Sequence, residues 1–236
     1  MLKKFAGAFA IAVLMTPIVF AQSSGSANYN YTSPTTVCTD VSGTLSGAPD
    51  HGVLNTGLKV SSGNGNAVII RPSAVTGLLT DVTMTTKDTS NGISSASAQA
   101  AIQFNVTVKP LSGQALPTVE PNPNPSLGIN SATVTYDDRF LQISTNLFTL
   151  LGTTCAVTTT NPNGCTFSVD ETTLSAHSFD FVASNLSAGD YEISVSWSAP
   201  VLTGSNSLSS AMACAGPVMI TAEQVKVFNQ SSGISF

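Results

Sequence analysis

Charge is what this chain has least of. Lys, Arg, Asp and Glu together make 9% of its 236 residues, against about a quarter in an average soluble protein. The eight basic residues are outnumbered by 13 acidic ones, for a formal net charge of −5. That excludes a nucleic-acid partner, because such binding needs clustered Lys and Arg to neutralise phosphates. Histidine occurs twice, at 51 and 177, and tryptophan once, at 197. The cysteines lack Cys-x-x-Cys spacing and have no nearby histidines, so zinc has no ligand set. Gly-x-Ser-x-Gly, the nucleophile-elbow signature, is missing too. Gly63-Asn64-Gly65 starts like a nucleotide fingerprint, but Val68 stands where the third Gly belongs. No cofactor, no metal and no catalytic residue is expected.

Low charge does not make the chain disordered. Hydrophobic residues make up 42% of it and the mean hydropathy is +0.24, whereas disordered chains combine low hydrophobicity with high net charge. Polarity comes instead from 32 Ser and 29 Thr.

The first apolar run is an address. Lys3-Lys4 precedes an uncharged stretch from Phe5 to Phe20, and Val19-Phe20-Ala21 supplies small residues at the −3 and −1 positions of a cleavage site. Residues 1–21 therefore read as a signal peptide. Sixteen residues are short of the ~20 that span a bilayer, and Pro17 interrupts them. No later run reaches ~18 apolar residues, so the mature chain is expected to be secreted (extracellular, periplasmic or at the cell surface) and not membrane-spanning. The C-terminal Ile234-Ser235-Phe236 resembles the end of an outer-membrane barrel, but aromatics are only 7% and girdle-like strands are missing.

Four cysteines survive cleavage: Cys38, Cys155, Cys165 and Cys214. An even number in an exported chain reads as two disulfides. Cys155 and Cys165 flank the turn Asn161-Pro162-Asn163-Gly164, which makes a local bridge easy. Cys38 is left to pair with Cys214.

Residues 22–35 show no apolar periodicity and read as a flexible leader carrying Tyr29 and Tyr31. Beyond them, Val-, Ile-, Thr- and Phe-rich segments alternate with Gly, Asn and Ser turns. Strands are expected at 53–60, 66–71, 78–86, 100–109, 132–137, 140–147, 166–170, 175–183, 191–198 and 218–228. The clearest is 191–198, where Tyr191, Ile193, Val195 and Trp197 share one face. The segment 140–151 also fits a helix capped by Asp138. Five of twelve prolines fall in 109–128, which predicts a Pro-rich surface loop. If both bridges form, one crosses that loop, so residues 36–236 are expected to be a single domain. The fold expected is all-β: an antiparallel β-sandwich of Ig-like or jelly-roll type, stapled by disulfides.

His51 falls in a turn by composition, and His177 is expected on a strand face with Phe179 and Phe181. Neither has a nucleophile or orienting partner beside it in sequence. Asp137, Asp138, Asp170, Glu171, Asp180 and Asp190 are the candidate carboxylates for glycosidase work, with the doublets Asp137-Asp138 and Asp170-Glu171 the candidates for calcium. Their ordinary roles are turns and strand edges. Trp197 and Tyr191 are read as core. The sequons at Asn105, Asn185 and Asn229 are no more than chance supplies. The function expected is an exported, non-catalytic sandwich with a structural, adhesive or surface-binding role toward a surface, glycan or protein. The alternative is a secreted hydrolase or carbohydrate-binding module.

Overall fold

The computed structural model describes residues 26–32, 36–40, 50–63, 65–121, 126–200 and 208–226. The expected signal peptide at 1–21 and the sequon at Asn229 lie outside them. In chain order the strands are β1 (Ala27–Tyr31), β2 (Val37–Asp40), β3 (Asp50–Val60), β4 (Asn66–Thr85), β5 (Ser95–Pro110), β6 (Thr118–Glu120), β7 (Ser131–Ser144), β8 (Thr166–Ser178), β9 (Phe181–Ser184), β10 (Gly189–Ser198) and β11 (Ser209–Lys226). Helix α1 (Thr86–Ser90) follows β4, and α2 (Asn146–Leu151) follows β7 and runs into a 3-10 turn at Gly152–Cys155. Among the described residues no helix is long and apolar enough to cross a membrane.

The strands form two packed antiparallel sheets, a β-sandwich. One sheet runs β1-β11-β4-β9-β6, with β2 also on β11 and β8 also on β4; the other runs β3-β10-β5-β7. Long strands hold the first sheet together. β4 and β11 pair over most of their lengths, and the expected breaks at 71–78 are not breaks. Pro72 is tolerated inside β4 because it sits where its neighbour changes: β9 pairs 68–70 and β8 pairs 73–85. No ladder partner waits for the N–H that proline lacks. The Pro72 carbonyl accepts a hydrogen bond from the buried Tyr136 hydroxyl at 2.7 Å.

Inward alternation builds the core. On β4 the even positions from Ala74 to Met84 are buried and the odd positions are partly open. Phe104 stacks on Tyr136 at 4.2 Å and on Trp197 at 5.8 Å between ring centroids. Tyr191 is 1% exposed and Trp197 5%. The Tyr191 hydroxyl donates to the Ser187 carbonyl at 3.0 Å and accepts from the Ser187 N–H at 3.2 Å. That clamps the turn entering β10, a device known from Greek-key sandwich corners.

Both disulfides are formed. Cys38 of β2 lies directly opposite Cys214 of β11, with Cα atoms 4.0 Å apart. Cys155–Cys165 closes the loop between the 3-10 turn and β8.

Several expectations need correction. Residues 22–35 are not uniformly a leader, since β1 lies within them. Its Asn-Tyr-Asn-Tyr run points Asn inward and Tyr outward, a period-2 signal that is polar and therefore easy to miss. Ser26, Asn28 and Asn30 donate side-chain hydrogen bonds to the carbonyls of Lys59, Gly57 and Asn55 on the edge of β3, the latter two at 2.7 Å. The Pro-rich segment is not all loop: β6 lies in it, pairs with β9 and buries Val119 completely. Pro117 and Pro121 bound that strand at the sheet edge, where a missing donor is harmless. Position 51 lies in β3 rather than in a turn. The segment 140–151 is strand to Ser144 and helix from Asn146, with Phe148 buried; Asp138 sits mid-strand and caps nothing.

Candidate functional site

Two sets of residues are brought together: a polar cluster around His177, and an uncharged face above it. The cluster joins β7, β8 and β4. His177 Nε2 lies 2.9 Å from Ser175 Oγ and 3.7 Å from Asp137 Oδ2. The same Asp137 oxygen accepts from Ser175 Oγ and from Thr76 Oγ1, each at 3.2 Å. Ser, His and Asp meet here, but not as a triad. In a triad the carboxylate orients one imidazole nitrogen while the other takes the serine proton. Here one imidazole nitrogen faces both groups, and the carboxylate binds the serine hydroxyl directly. The group therefore works as a latch between the sheets. Arg139–Glu171, at 3.6 Å, is a second tie across the same seam. The His177 ring packs edge-on against Tyr136 at 6.2 Å. It does not share a strand face with Phe179 and Phe181: β8 ends at Ser178, and those two rings pack on each other at 5.5 Å.

The remaining carboxylates are dispersed. Asp138 accepts from Gln99 Nε2 at 3.0 Å, and Asp190 is exposed at the start of β10. Asp180 pairs with Arg71 at 2.7 Å, and that hydrogen bond holds its carboxyl below the usual range. Adjacent residues on a strand point to opposite faces, so neither Asp137-Asp138 nor Asp170-Glu171 converges on one point. Among the described residues no three His, Cys, Asp or Glu side chains gather as metal ligands would. Asp170 does face a carboxylate, Asp81, directly across β4. A hydrogen bond with Asp81 and its negative charge raise the Asp170 carboxyl above its ordinary value.

The outer face of the larger sheet carries the more distinctive feature. The odd positions of β4 from 73 to 79 are Ser, Val, Gly and Leu. Beside them lie Thr172, Leu174 and Ala176 of β8 and Met212, Cys214 and Met219 of β11. Along β8, β4 and β11 this strip has no charge between the Arg71 row and the Asp81 row; Asp40 of β2 stands at its margin, opposite Met212. Leu174 is 78% exposed, Tyr31 65% and Tyr29 64%. Where β11 passes Gly216-Pro217 its register with β4 shifts, and a groove of about 520 Å³ opens there. Tyr31, Val75, Ala176, His177, Pro217 and Met219 are among the residues that line it. A smaller depression of about 260 Å³ continues along β1, lined by Tyr29, Ile69, Arg71, Thr221 and Glu223. Groove size falls in the range of small-ligand sites.

Tyr29 and Tyr31 fall in a stretch that reads as a leader, so nothing in the sequence marks their shared outward face. Neither the groove nor the Asp81–Asp170 pairing has a local sequence signal, because each depends on strand register. Comparison of the sequence with protein-family models and with curated proteins gives no match.

Proposed function

We propose that this chain is an exported, non-catalytic binding module that engages its ligand across the Tyr-lined outer face of the larger sheet. One observation carries the reading: an uncharged exposed strip containing an apolar groove, on a sheet whose opposite face is filled with core. Exposed apolar surface of this kind marks interaction sites on soluble proteins. Two disulfides and an apolar leader after Lys3-Lys4 support export to an oxidising compartment. The ligand that suits the groove is an apolar or aromatic group presented by a partner chain or surface.

A carbohydrate is the second reading, favoured by Tyr29 and Tyr31. Their rings project from one face of one strand, beside hydrogen-bonding groups of Arg71, Thr221 and Glu223. Titration with N-acetyl-tryptophanamide and, separately, with soluble gluco- and chito-oligosaccharides decides between them. Saturable binding of the amide, lost in Val75→Asp, supports the first. Oligosaccharide binding lost in Tyr29→Ala and Tyr31→Ala supports the second. Turnover of ester or glycoside substrates that vanishes in His177→Gln contradicts both.

A further inference from the structure

We infer that β8 is an open pairing edge, and that its partner is the β8 strand of a second copy of this chain, joined antiparallel about a two-fold axis at Thr173. This edge borders the binding face proposed above and shares Leu174 and Ala176 with it, but the pairing does not depend on which ligand the groove takes.

The other sheet edges among the described residues are closed. The edge of β3 is covered by the side-chain hydrogen bonds of Ser26, Asn28 and Asn30. β7 carries Asp137, Asp138 and Arg139 and a register shift at Tyr136. β6 has three residues, β2 four and β1 five. These are the usual means of blunting edges: shortness, charge and bulges. β8 has none of them to the same degree. It pairs with β4 over 13 residues with no register shift and contains no Pro, Gly, Lys or Arg. Its two acidic residues are turned to its own molecule: Asp170 to Asp81, Glu171 to Arg139. Among the described residues no other strand pairs with it and no loop backbone hydrogen-bonds to it.

The backbone direction can be read from Gly77. The Thr173 carbonyl lies 3.5 Å from where a Gly77 Cβ would stand, so Thr173 turns its backbone polar groups to β4. N–H and C=O of one residue point to the same side of a strand, and successive residues alternate. Asp170, Thr172, Leu174 and Ala176 therefore direct theirs to the open side. A two-fold axis at Thr173 sets Thr172 against Leu174 of the second copy and Asp170 against Ala176, both in hydrogen-bonded positions. No like charges face each other. The two Leu174 side chains become diagonal neighbours on one face, within reach of each other. The most exposed apolar residue of the strand is thereby covered by its own copy.

The test uses the purified protein with both disulfides intact. Sedimentation should show a concentration-dependent shift from one chain to two. Amide exchange at Asp170, Thr172, Leu174 and Ala176 should slow as concentration rises. Thr172→Pro removes an edge-facing N–H, and Leu174→Lys puts charge at the axis; each should abolish both effects. If Thr172→Pro disturbs the fold, seen in circular dichroism or the single Trp emission, Leu174→Lys decides. A protein that stays monomeric up to about 1 mM, the weak limit of specific association, overturns the inference. So does a dimer indifferent to Leu174→Lys, or one whose protection lies elsewhere.

Discussion

Individual side chains in this sandwich are set by what lies directly across the sheet. Gly52 is the sharpest case. It pairs with Trp197, and a Cβ at Gly52 would stand 2.5 Å from the indole ring. Gly52→Ala forces the ring to shift, and overpacking of this kind costs about 1–3 kcal/mol. Denaturant titration followed by the emission of the only Trp measures both the loss and the displacement; unchanged stability and emission would contradict the packing. Asp170 gives a pH prediction whose sign is fixed. Asp81 raises its carboxyl above the ordinary value, so the folded chain holds the proton more tightly than the unfolded one. Stability then falls as pH rises through the raised folded value, and the handicap disappears below the unfolded carboxylate range near pH ~3.9. Asp170→Asn should raise the melting temperature at pH 7 and leave it unchanged near the acid limit. An equal gain at both pH values would mean that the effect is not proton-linked.

Elements were legible where hydrophobicity alternates. Tyr191–Ser198 lies within β10, with one clean apolar face, and 53–60 within β3, where Leu54, Leu58 and Val60 are buried with Thr56 among them. The failures share a physical cause. β4 reads as two strands, 66–71 and 78–86, yet it runs on through Pro72, which falls in the gap between β8 and β9. β1 looked like a leader because its inward residues are Asn. Such Asn side chains are inward because an edge strand's carbonyls need donors, a need that exists only after β3 is in place. β6 was hidden among prolines that an edge strand tolerates. The groove and the β8 edge were illegible for the same reason, since both arise from long-range register. Removing the β1 donors tests this account of the edge. Asn28→Ala with Asn30→Ala forfeits the two hydrogen bonds donated to β3, each worth about 0.5–1.5 kcal/mol, together with those the Asn28 and Asn30 Oδ1 atoms accept from the Tyr29 and Tyr31 N–H groups. The double variant should melt earlier, with faster amide exchange confined first to 26–31 and the β3 edge. Uniform loss across both sheets would argue that β1 is no separate latch.

At the scale of the whole molecule, strands from both sides of residues 109–128 share each sheet, and Cys38–Cys214 links sequence positions 176 apart. The chain is therefore expected to melt in one transition. After proteolysis within 111–116 its two fragments should stay joined on a denaturing gel until reductant is added. Two separate transitions would favour two domains. Loss of the long bridge through Cys38→Ala with Cys214→Ala should cost about 2–5 kcal/mol, the usual range for a native bridge in a small secreted domain. None of these tests the functional claim, which is that the groove-bearing strip of the outer face binds. That claim rests on the groove, and the most direct measurement is a residue-resolved amide chemical-shift titration with N-acetyl-tryptophanamide. Saturable shifts clustered at 73–75, 176–177 and 218–219, abolished by Val75→Asp, are the expected result. Shifts that are absent, unsaturable or scattered over both sheets would contradict it.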